Sequence, residues 1–432
     1  MSLELPKSGS GRLALLGGPK STTEPFAFYR SFGREEVEAV QKVVESGVLS
    51  KFIGAWGEDF YGGEKVKEFE NRWAEFFQVP HAVTVNSNTS GLMCALGAVG
   101  IEPGDEVILS PWTMSADAAA ILVWNAIPVF ADIETTTFNL DPRSIESKIT
   151  ERTKAILVTD IFGQAAQLDS IMAIAKKHKI KVIEDCAQAP GALYKNKYVG
   201  TVADIGVFSL NYHKHIHTGE GGVCVTRDAH LAERMQLIRN HAESVVARKP
   251  TDDLRNLIGF NFRMGEMEAA LGIEQLKKLP ALARTKTKSA EDLTARLLKL
   301  KGLRPPPVME DCTHVYYMYV CLYDETATGV PRTKIIQALE AEGLPAVRSG
   351  YTNIHLLPMF EKRIAYGSKG FPWTMPGRES SVTYGRGTCP VAERLNEQMI
   401  GLLWCSYQFD EADVERVAKI FEKVWDHLED LA

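Results

Sequence analysis

Three short stretches hold residue types and spacings suited to chemistry on an anionic ligand. The first runs from Phe208 to Gly222 and contains Lys214 in a polar loop five residues after Ser209, with Gly219, Gly221 and Gly222 leading into an apolar run. Glycines there permit positive φ and close approach of the backbone to a ligand; a surface lysine in a glycine turn is the plainer alternative. His213, His215 and His217 alternate within it and suggest a metal, yet they share a face only on an extended segment, and no acidic or cysteine partner is spaced to complete the shell. The second stretch, Val182 to Gly191, puts Glu184 and Asp185 at the C-terminal end of an apolar run. Ligands of open α/β sheets gather at that edge, and adjacent strand residues face opposite ways, so at most one of the two acids meets a given ligand. A capping or turn acid is the competing reading. The third, Val85 to Leu92, carries Asn, Ser and Thr from an apolar run into a helical pattern, where free backbone N–H groups and hydroxyls suit a phosphate. Ser87 or Asn88 caps the helix in either case.

The elements that must position these residues are legible from apolar patterning. Strands are expected at 82–85, 106–109, 128–132, 155–159, 181–184, 205–209 and 222–226, and most are apolar on successive residues, as for strands covered on both faces. Helical patterns at 35–45, 65–77, 89–99 and 169–178 lie between them, which implies an α/β fold with a mainly parallel seven-stranded sheet flanked by helices. Residues 266–279 and 281–300 read as two further helices, the second a bridge between lobes. Three consecutive prolines at 305–307 precede short strands at 315–323 and helices at 332–342 and 411–428. The expected division is an N-terminal arm (1–30), a large ligand-binding α/β domain (31–284) and a small C-terminal α+β domain (285–432). Residues 366–387, rich in Gly, Ser, Thr and Pro, read as an insertion or a substrate lid.

Composition bounds the function. Of 432 residues, 49 are Lys or Arg and 55 are Asp or Glu, a formal charge of −6 that supplies no basic field for nucleic acid or an anionic membrane. An anionic ligand must therefore be held by local geometry. The apolar segment around 121–130 is broken by Asn125 and Pro128 and falls short of the roughly 20 residues of a membrane span. Residues 1–18 lack the layout of a secretory signal, and seven scattered cysteines without a CxxC pair read as reduced thiols. A cytoplasmic protein is the expectation.

Taken together, the ordered stretches resemble the DegT/DnrJ/StrS family of pyridoxal phosphate-dependent sugar aminotransferases, of the aspartate aminotransferase-like fold type I. The resemblance is carried by Gly33 to Val40, Phe69 to Phe76, Asn86 to Leu92, Glu184 to Gly191, Ser209 to Gly222, Gly259 to Met264, Glu268 to Gly272 and Ala392 to Leu395. It implies that Lys214 forms the Schiff base with the cofactor aldehyde and afterwards shuttles the proton. It also implies that Asp185 pairs with the pyridine nitrogen, that Gln188 lies near the ring hydroxyl, and that Asn88, Thr89 and Ser209 hold the phosphate. Asn261 resembles the residue that reaches the phosphate from the neighbouring subunit, which implies a homodimer with shared active sites. One branch of the family replaces the lysine with histidine and dehydrates its substrate; Lys214, with four residues between it and Gly219, follows the transaminase pattern instead.

Several positions depart from the family pattern. Met114 stands where a flat ring usually covers the cofactor, with Trp112 two residues earlier, and methionine sulfur can pack on an aromatic face. Asn88 replaces a common glycine, Thr159-Asp160 replaces a Val-His pair, and His215 and His217 replace residues that are often Asn and Thr. The implied reaction passes an amino group from glutamate or glutamine to a keto group on a sugar, nucleotide-linked or a free keto-sugar acid, in amino-sugar biosynthesis. A ketocyclitol or amino-hydroxybenzoate-type acceptor, or a non-catalytic regulatory homologue retaining the cofactor pocket, are the alternatives. His217, Arg263, Arg348 and His355 are the candidate substrate contacts, the last two equally readable as solvated groups of the small domain.

Overall fold

A computed structural model describes residues 11–432 apart from Pro250 and Asp252; residues 1–10 of the expected arm lie outside the described residues. The large lobe is built on seven strands: β1 (His81–Val85), β2 (Glu106–Leu109), β3 (Ile127–Phe130), β4 (Thr153–Thr159), β5 (Lys181–Asp185), β6 (Ile205–Ser209) and β7 (Gly222–Thr226). Their spatial order is β1-β7-β6-β5-β4-β2-β3, and β7 alone runs antiparallel to its neighbours. Every residue of β2, β6 and β7 is buried, which is why the sequence reads as unbroken apolar runs there.

Helices cover both faces. In α1 (Glu64–Phe77) the residues Val66, Phe69, Trp73 and Phe77 recur at helical spacing and are the ones buried, and the ring of Phe77 lies 4.6 Å from that of Phe208 on β6. The next helix, α2 (Asn88–Ala98), is apolar around most of its surface and sits on β6 and β7. Its Gly91 has no room for a side chain, since a Cβ there would meet Val207 at 2.7 Å.

Residues 266–297 form one continuous helix, Glu266–Leu297, with Pro280 inside it, rather than the two helices expected. Proline removes a backbone N–H and usually ends a helix. Here both halves are anchored: Leu276 and Leu279 lie in the core of the large lobe, and Ala290, Leu293 and Leu297 in the core of the small one. The boundary expected near 285 thus falls within a helix shared by the two lobes. The small lobe carries a four-stranded antiparallel sheet ordered Leu303–Arg304, Tyr319–Tyr323, Met399–Leu402, Val347–Arg348. Residues 11–30 pack on this lobe; Leu13 and Phe26 enter its core, and the Glu342 carboxylate accepts from the Ala14 and Ser21 N–H groups at 2.7 and 2.8 Å.

The segment 366–387 is irregular, as expected, but it is a strap on the sheet edge and not a lid on a cavity. Trp373 is buried and donates to the Tyr384 hydroxyl at 2.8 Å, and Tyr384 in turn donates to the Pro128 carbonyl of edge strand β3 at 2.7 Å. Arg378 pairs with Asp105 at 2.8 Å beside the same edge. Covering an edge in this way removes a pairing template for other chains. Among the described residues no helix is long and apolar enough to cross a membrane.

Candidate active site

Strands β4, β5 and β6 end on the same side of the sheet in Thr159, Asp185 and Ser209, and the turn after β1 opens α2 beside them at Asn88. The pleat sends Glu184 and Asp185 to opposite faces. Glu184 groups with Asp160 and Cys186 in the interior, whereas Asp185 accepts from Asn88 Nδ2 and from the Ala187 N–H, each at 3.0 Å. Burial raises the Asp185 carboxyl; the Ala187 N–H, the Lys214 charge and Asn88 oppose that rise.

Lys214 lies in the tight connection from β6 to β7, where its N–H bonds to the Asn211 carbonyl at 2.9 Å and Thr218 bonds back to Leu210 at 3.0 Å. The side chain is 8% exposed, and Nζ sits 4.4 Å from the centre of the Tyr317 ring. Burial lowers its amine to about 8, against the opposing pull of Asp185, Cys405 and Asp117. A lysine in this setting holds a substantial free-amine fraction near neutrality, which is the form that attacks a carbonyl.

A cavity of about 530 Å³ opens over Lys214 between the lobes. Its walls come from Tyr212 and His213 of the lysine loop, from Tyr317, Arg348 and Tyr407 of the small lobe, and from Phe28 and Tyr29. Phe28 stacks on Tyr407 with centroids 5.0 Å apart, and the Tyr29 N–H bonds to the Ser406 carbonyl at 3.0 Å, so residues 28–29 form part of the cleft.

The start of α2 provides an anion cradle. Ser87 caps the helix by accepting from the Ser90 N–H at 3.1 Å, while the first intrahelical bond runs from Gly91 to Ser87, leaving the Asn88 and Thr89 N–H groups outside the ladder. Gly222 faces this turn, and a Cβ on it would lie 2.7 Å from the Ser87 carbonyl and 2.8 Å from the Asn88 nitrogen. These groups fit pyridoxal phosphate: a cradle of free amides and the Ser209 hydroxyl for its phosphate, a buried carboxylate for its ring nitrogen and a buried amine for its aldehyde.

Other positions singled out in the sequence fall in different places. Gln188 accepts from the Phe162 N–H at 2.8 Å and donates to the Tyr351 hydroxyl at 3.2 Å, which fixes its amide beside Asp185's loop. Trp112 is wholly buried and bonds to Asn353 at 2.8 Å, whereas Met114 is 63% exposed. Asn261 is exposed and accepts from Arg263 Nε at 2.6 Å, so the pair stands together on the outer surface. Arg348 lines the cavity, but His217, Arg263 and His355 do not. His217 packs on the Phe32 ring at 4.6 Å, and His355 is fully buried with Nε2 2.9 Å from Glu393. A substrate contact by His355 is therefore replaced by a core pairing.

The three alternating histidines diverge as well. His213 faces the cavity, His215 bonds through Nε2 to the Val315 carbonyl at 2.8 Å, and burial lowers both rings to about 4. Tyr317, Tyr351 and Asp117 escaped the sequence reading because each arrives from a distant segment with no local motif around it.

Comparison with known proteins agrees with this geometry. The DegT/DnrJ/EryC1/StrS aminotransferase family model matches residues 33–384. The spore coat polysaccharide biosynthesis protein SpsC of Bacillus subtilis (strain 168) is 36% identical over 79% of this chain and 87% of its own. An L-glutamine:2-deoxy-scyllo-inosose aminotransferase of Streptoalloteichus tenebrarius is 33% identical over 96% of this chain and 98% of its own. Among solved structures, an aminotransferase from Psychrobacter cryohalolentis superposes with a TM-score of 0.78 at 30% identity, covering 94% of this chain and all of that one. The chain belongs to the DegT/DnrJ/EryC1/StrS aminotransferase family and is a pyridoxal phosphate-dependent transaminase of fold type I.

Proposed function

We propose that this enzyme moves the amino group of glutamine or glutamate onto a ketone carried by a polyhydroxylated ring, a sugar or a cyclitol, and that it works as a homodimer. The observation that carries the reading is the buried, weakly basic Lys214 amine beside Asp185 at the floor of a cleft walled by tyrosines. Aromatic faces with hydroxyl tips suit a ring that has apolar C–H surfaces and polar edges. Arg348, at the same cleft, suits the carboxylate of the amino donor. The glutamine and cyclitol in the name of the Streptoalloteichus relative, and the polysaccharide in that of SpsC, point the same way.

Each residue has a defined task in this scheme. Pyridoxal phosphate, when bound, supplies the electron sink for the carbanion that transamination requires. Asp185 holds the proton on the ring nitrogen, and its own buried carboxylate gains a counter-charge in doing so. The Asn88 and Thr89 amides and the Ser209 hydroxyl bind the phosphate. Gln188 stands near the ring hydroxyl, and Met114 covers one face of the ring. Lys214 Nζ takes the proton from the donor's α-carbon and returns one to the carbon that receives nitrogen. Asn261 reaches the phosphate of the partner subunit; Ile258, close to it in sequence, is 68% exposed and supplies apolar surface for that contact.

A two-step assay tests the reading. The cofactor-loaded enzyme is mixed with glutamine or glutamate, and the visible absorbance of lysine-bound cofactor is expected to disappear. Ketosugars, sugar nucleotides and ketocyclitols are then added separately, and one class restores the absorbance. No bleaching by either donor favours the non-catalytic alternative, and silence from all three acceptor classes overturns the substrate class.

A further inference from the structure

Asp117, in the first turn of the helix Ala116–Val123, is a carboxyl group to which nothing above gives a task. It is completely buried, and its Oδ2 accepts from the Thr113 and Thr159 hydroxyls at 2.8 and 2.9 Å. Its Oδ1 has no hydrogen-bond partner among the described residues. Thr159 ends β4 and pairs in register with Asp185 at the end of β5, so this helix turn meets the sheet at the acid assigned to the cofactor nitrogen. Thr159 thus brings the Asp117 carboxyl beside Asp185, close enough for each acid to influence the ionisation of the other.

Two carboxylates cannot both stay ionised that close together in a buried site, so one holds a proton. The surroundings decide which. Asp185 receives two N–H donors, and the Lys214 charge favours its ionised form. Asp117 receives only two hydroxyls, and the other titratable groups facing the pair are Lys214, the Tyr351 phenol and the Cys186 thiol, the last two kept neutral by burial. The negative charge therefore settles on Asp185 and the proton on Asp117.

We propose that Asp117 is a positioning residue, a neutral carboxylic acid whose otherwise unpartnered Oδ1 carries a proton donated to the Asp185 carboxylate. A hydrogen bond from a neutral acid to a carboxylate is short and strong. It restrains the Asp185 carboxylate and keeps that group ionised without adding a second charge to the site. The inference rests on the reading of Asp185 as the partner of the ring nitrogen.

The test begins on cofactor-free protein, where failure of that reading does not matter. Infrared difference spectra at neutral pH between wild type and Asp117→Asn are expected to show loss of one carboxylic-acid carbonyl band and no loss of carboxylate bands. Loss of carboxylate bands instead overturns the proposal. Cofactor affinity supplies the second readout. Asp117→Asn, whose amide can donate in the same direction, is expected to keep affinity within about threefold of wild type, and Asp117→Leu to weaken it about tenfold or more, the worth of one charge-assisted bond. An Asn variant as weak as the Leu variant shows that an ionised Asp117 is needed and sinks the idea; if the Leu variant does not fold, the Asn spectrum and affinity decide alone. Unchanged affinity in Asp185→Asn would count against the cofactor reading and leave the infrared result standing.

Discussion

Lys286, midway along the helix shared by the two lobes, donates to the Trp404 carbonyl at 3.1 Å and also reaches the Tyr407 carbonyl. Its ammonium lies 4.6 Å from the centre of the Tyr29 ring, so one buried cation ties together the small-lobe wall and the N-terminal wall of the cleft. Burial lowers this amine to about 8. Lys286→Met leaves two buried carbonyls without a donor and is expected to cost about 2–4 kcal/mol in denaturant unfolding. Because Tyr29 and Tyr407 wall the cavity whereas the reacting amine belongs to Lys214, KM for the keto substrate should rise more than kcat falls. An equal fall in kcat with unchanged KM contradicts this arrangement.

The same physics at Lys214 gives a pH prediction. An exposed lysine is a free amine only near and above about pH 10, whereas burial brings Lys214 down to about 8. The protonated form dominates below that value and cannot attack a carbonyl, so the rate of cofactor capture by the empty enzyme should rise with pH and level off above about 8. Stopped-flow absorbance checks the midpoint; a rate still climbing at pH 10 would place the amine in solvent. Lys214→Ala should abolish covalent capture and lower turnover about a thousandfold or more.

Stability of the cofactor side depends on a second buried pair. Arg239 is wholly buried at the end of its helix; it donates to Glu70 at 2.6 Å and to the Thr84 carbonyl at 3.0 Å, tying α1 to β1. Removing one partner strands the other charge, so Arg239→Ala is expected to cost about 3–5 kcal/mol. In a double-mutant cycle with Glu70→Ala the two losses should fall short of additivity, because each single change already breaks the pair. Additive losses would mean that the pair contributes nothing of its own.

The strap offers a contrast that separates packing from chemistry. Tyr384 accepts from Trp373 and donates to Pro128, and neither it nor Trp373 is among the residues that line the cavity. Tyr384→Phe leaves both groups unpaired and should cost about 1–3 kcal/mol in unfolding experiments while cofactor capture is unchanged. A lid would behave in the opposite way, with altered KM and little loss of stability.

What was legible in the sequence follows from the range of the interactions involved. All seven strands were readable because burial on both faces writes itself as consecutive apolar residues, whereas Lys214 and Asp185 each had a plainer local reading, a surface lysine and a turn acid, and their roles were implied only by the family resemblance. Pro280 misled because its local preference for ending a helix is overridden by Leu276 and Leu279 on one side and Leu293 on the other, a tertiary effect. The polar composition of 366–387 fits a lid as well as a strap, and only the long-range bond from Tyr384 to Pro128 distinguishes them. His355 read as a substrate contact or a solvated group because its partner, Glu393, lies 38 residues away. Asp117 was invisible for the same reason, since Thr159 and Asp185 come from other strands.

The shared active site can be tested by mixing two inactive variants. Suppose that each site takes Lys214 from one subunit and Asn261 from the other. Lys214→Ala and Asn261→Ala each then disable both sites of their own homodimer. In a mixed dimer one site carries both defects and the other carries neither. Random reassortment of equal amounts makes half of the dimers mixed, with one competent site in each, so about a quarter of wild-type activity should return on mixing. The readout is kcat per subunit after unfolding and refolding the two variants together, with each refolded alone as the control. Recovery near that level requires a dimer in which Asn261 crosses between subunits, since Lys214 and Asn261 acting on the same site from one chain can never complement. No recovery from variants that exchange subunits overturns the shared site and returns Asn261 to the role the single chain displays, a surface partner of Arg263.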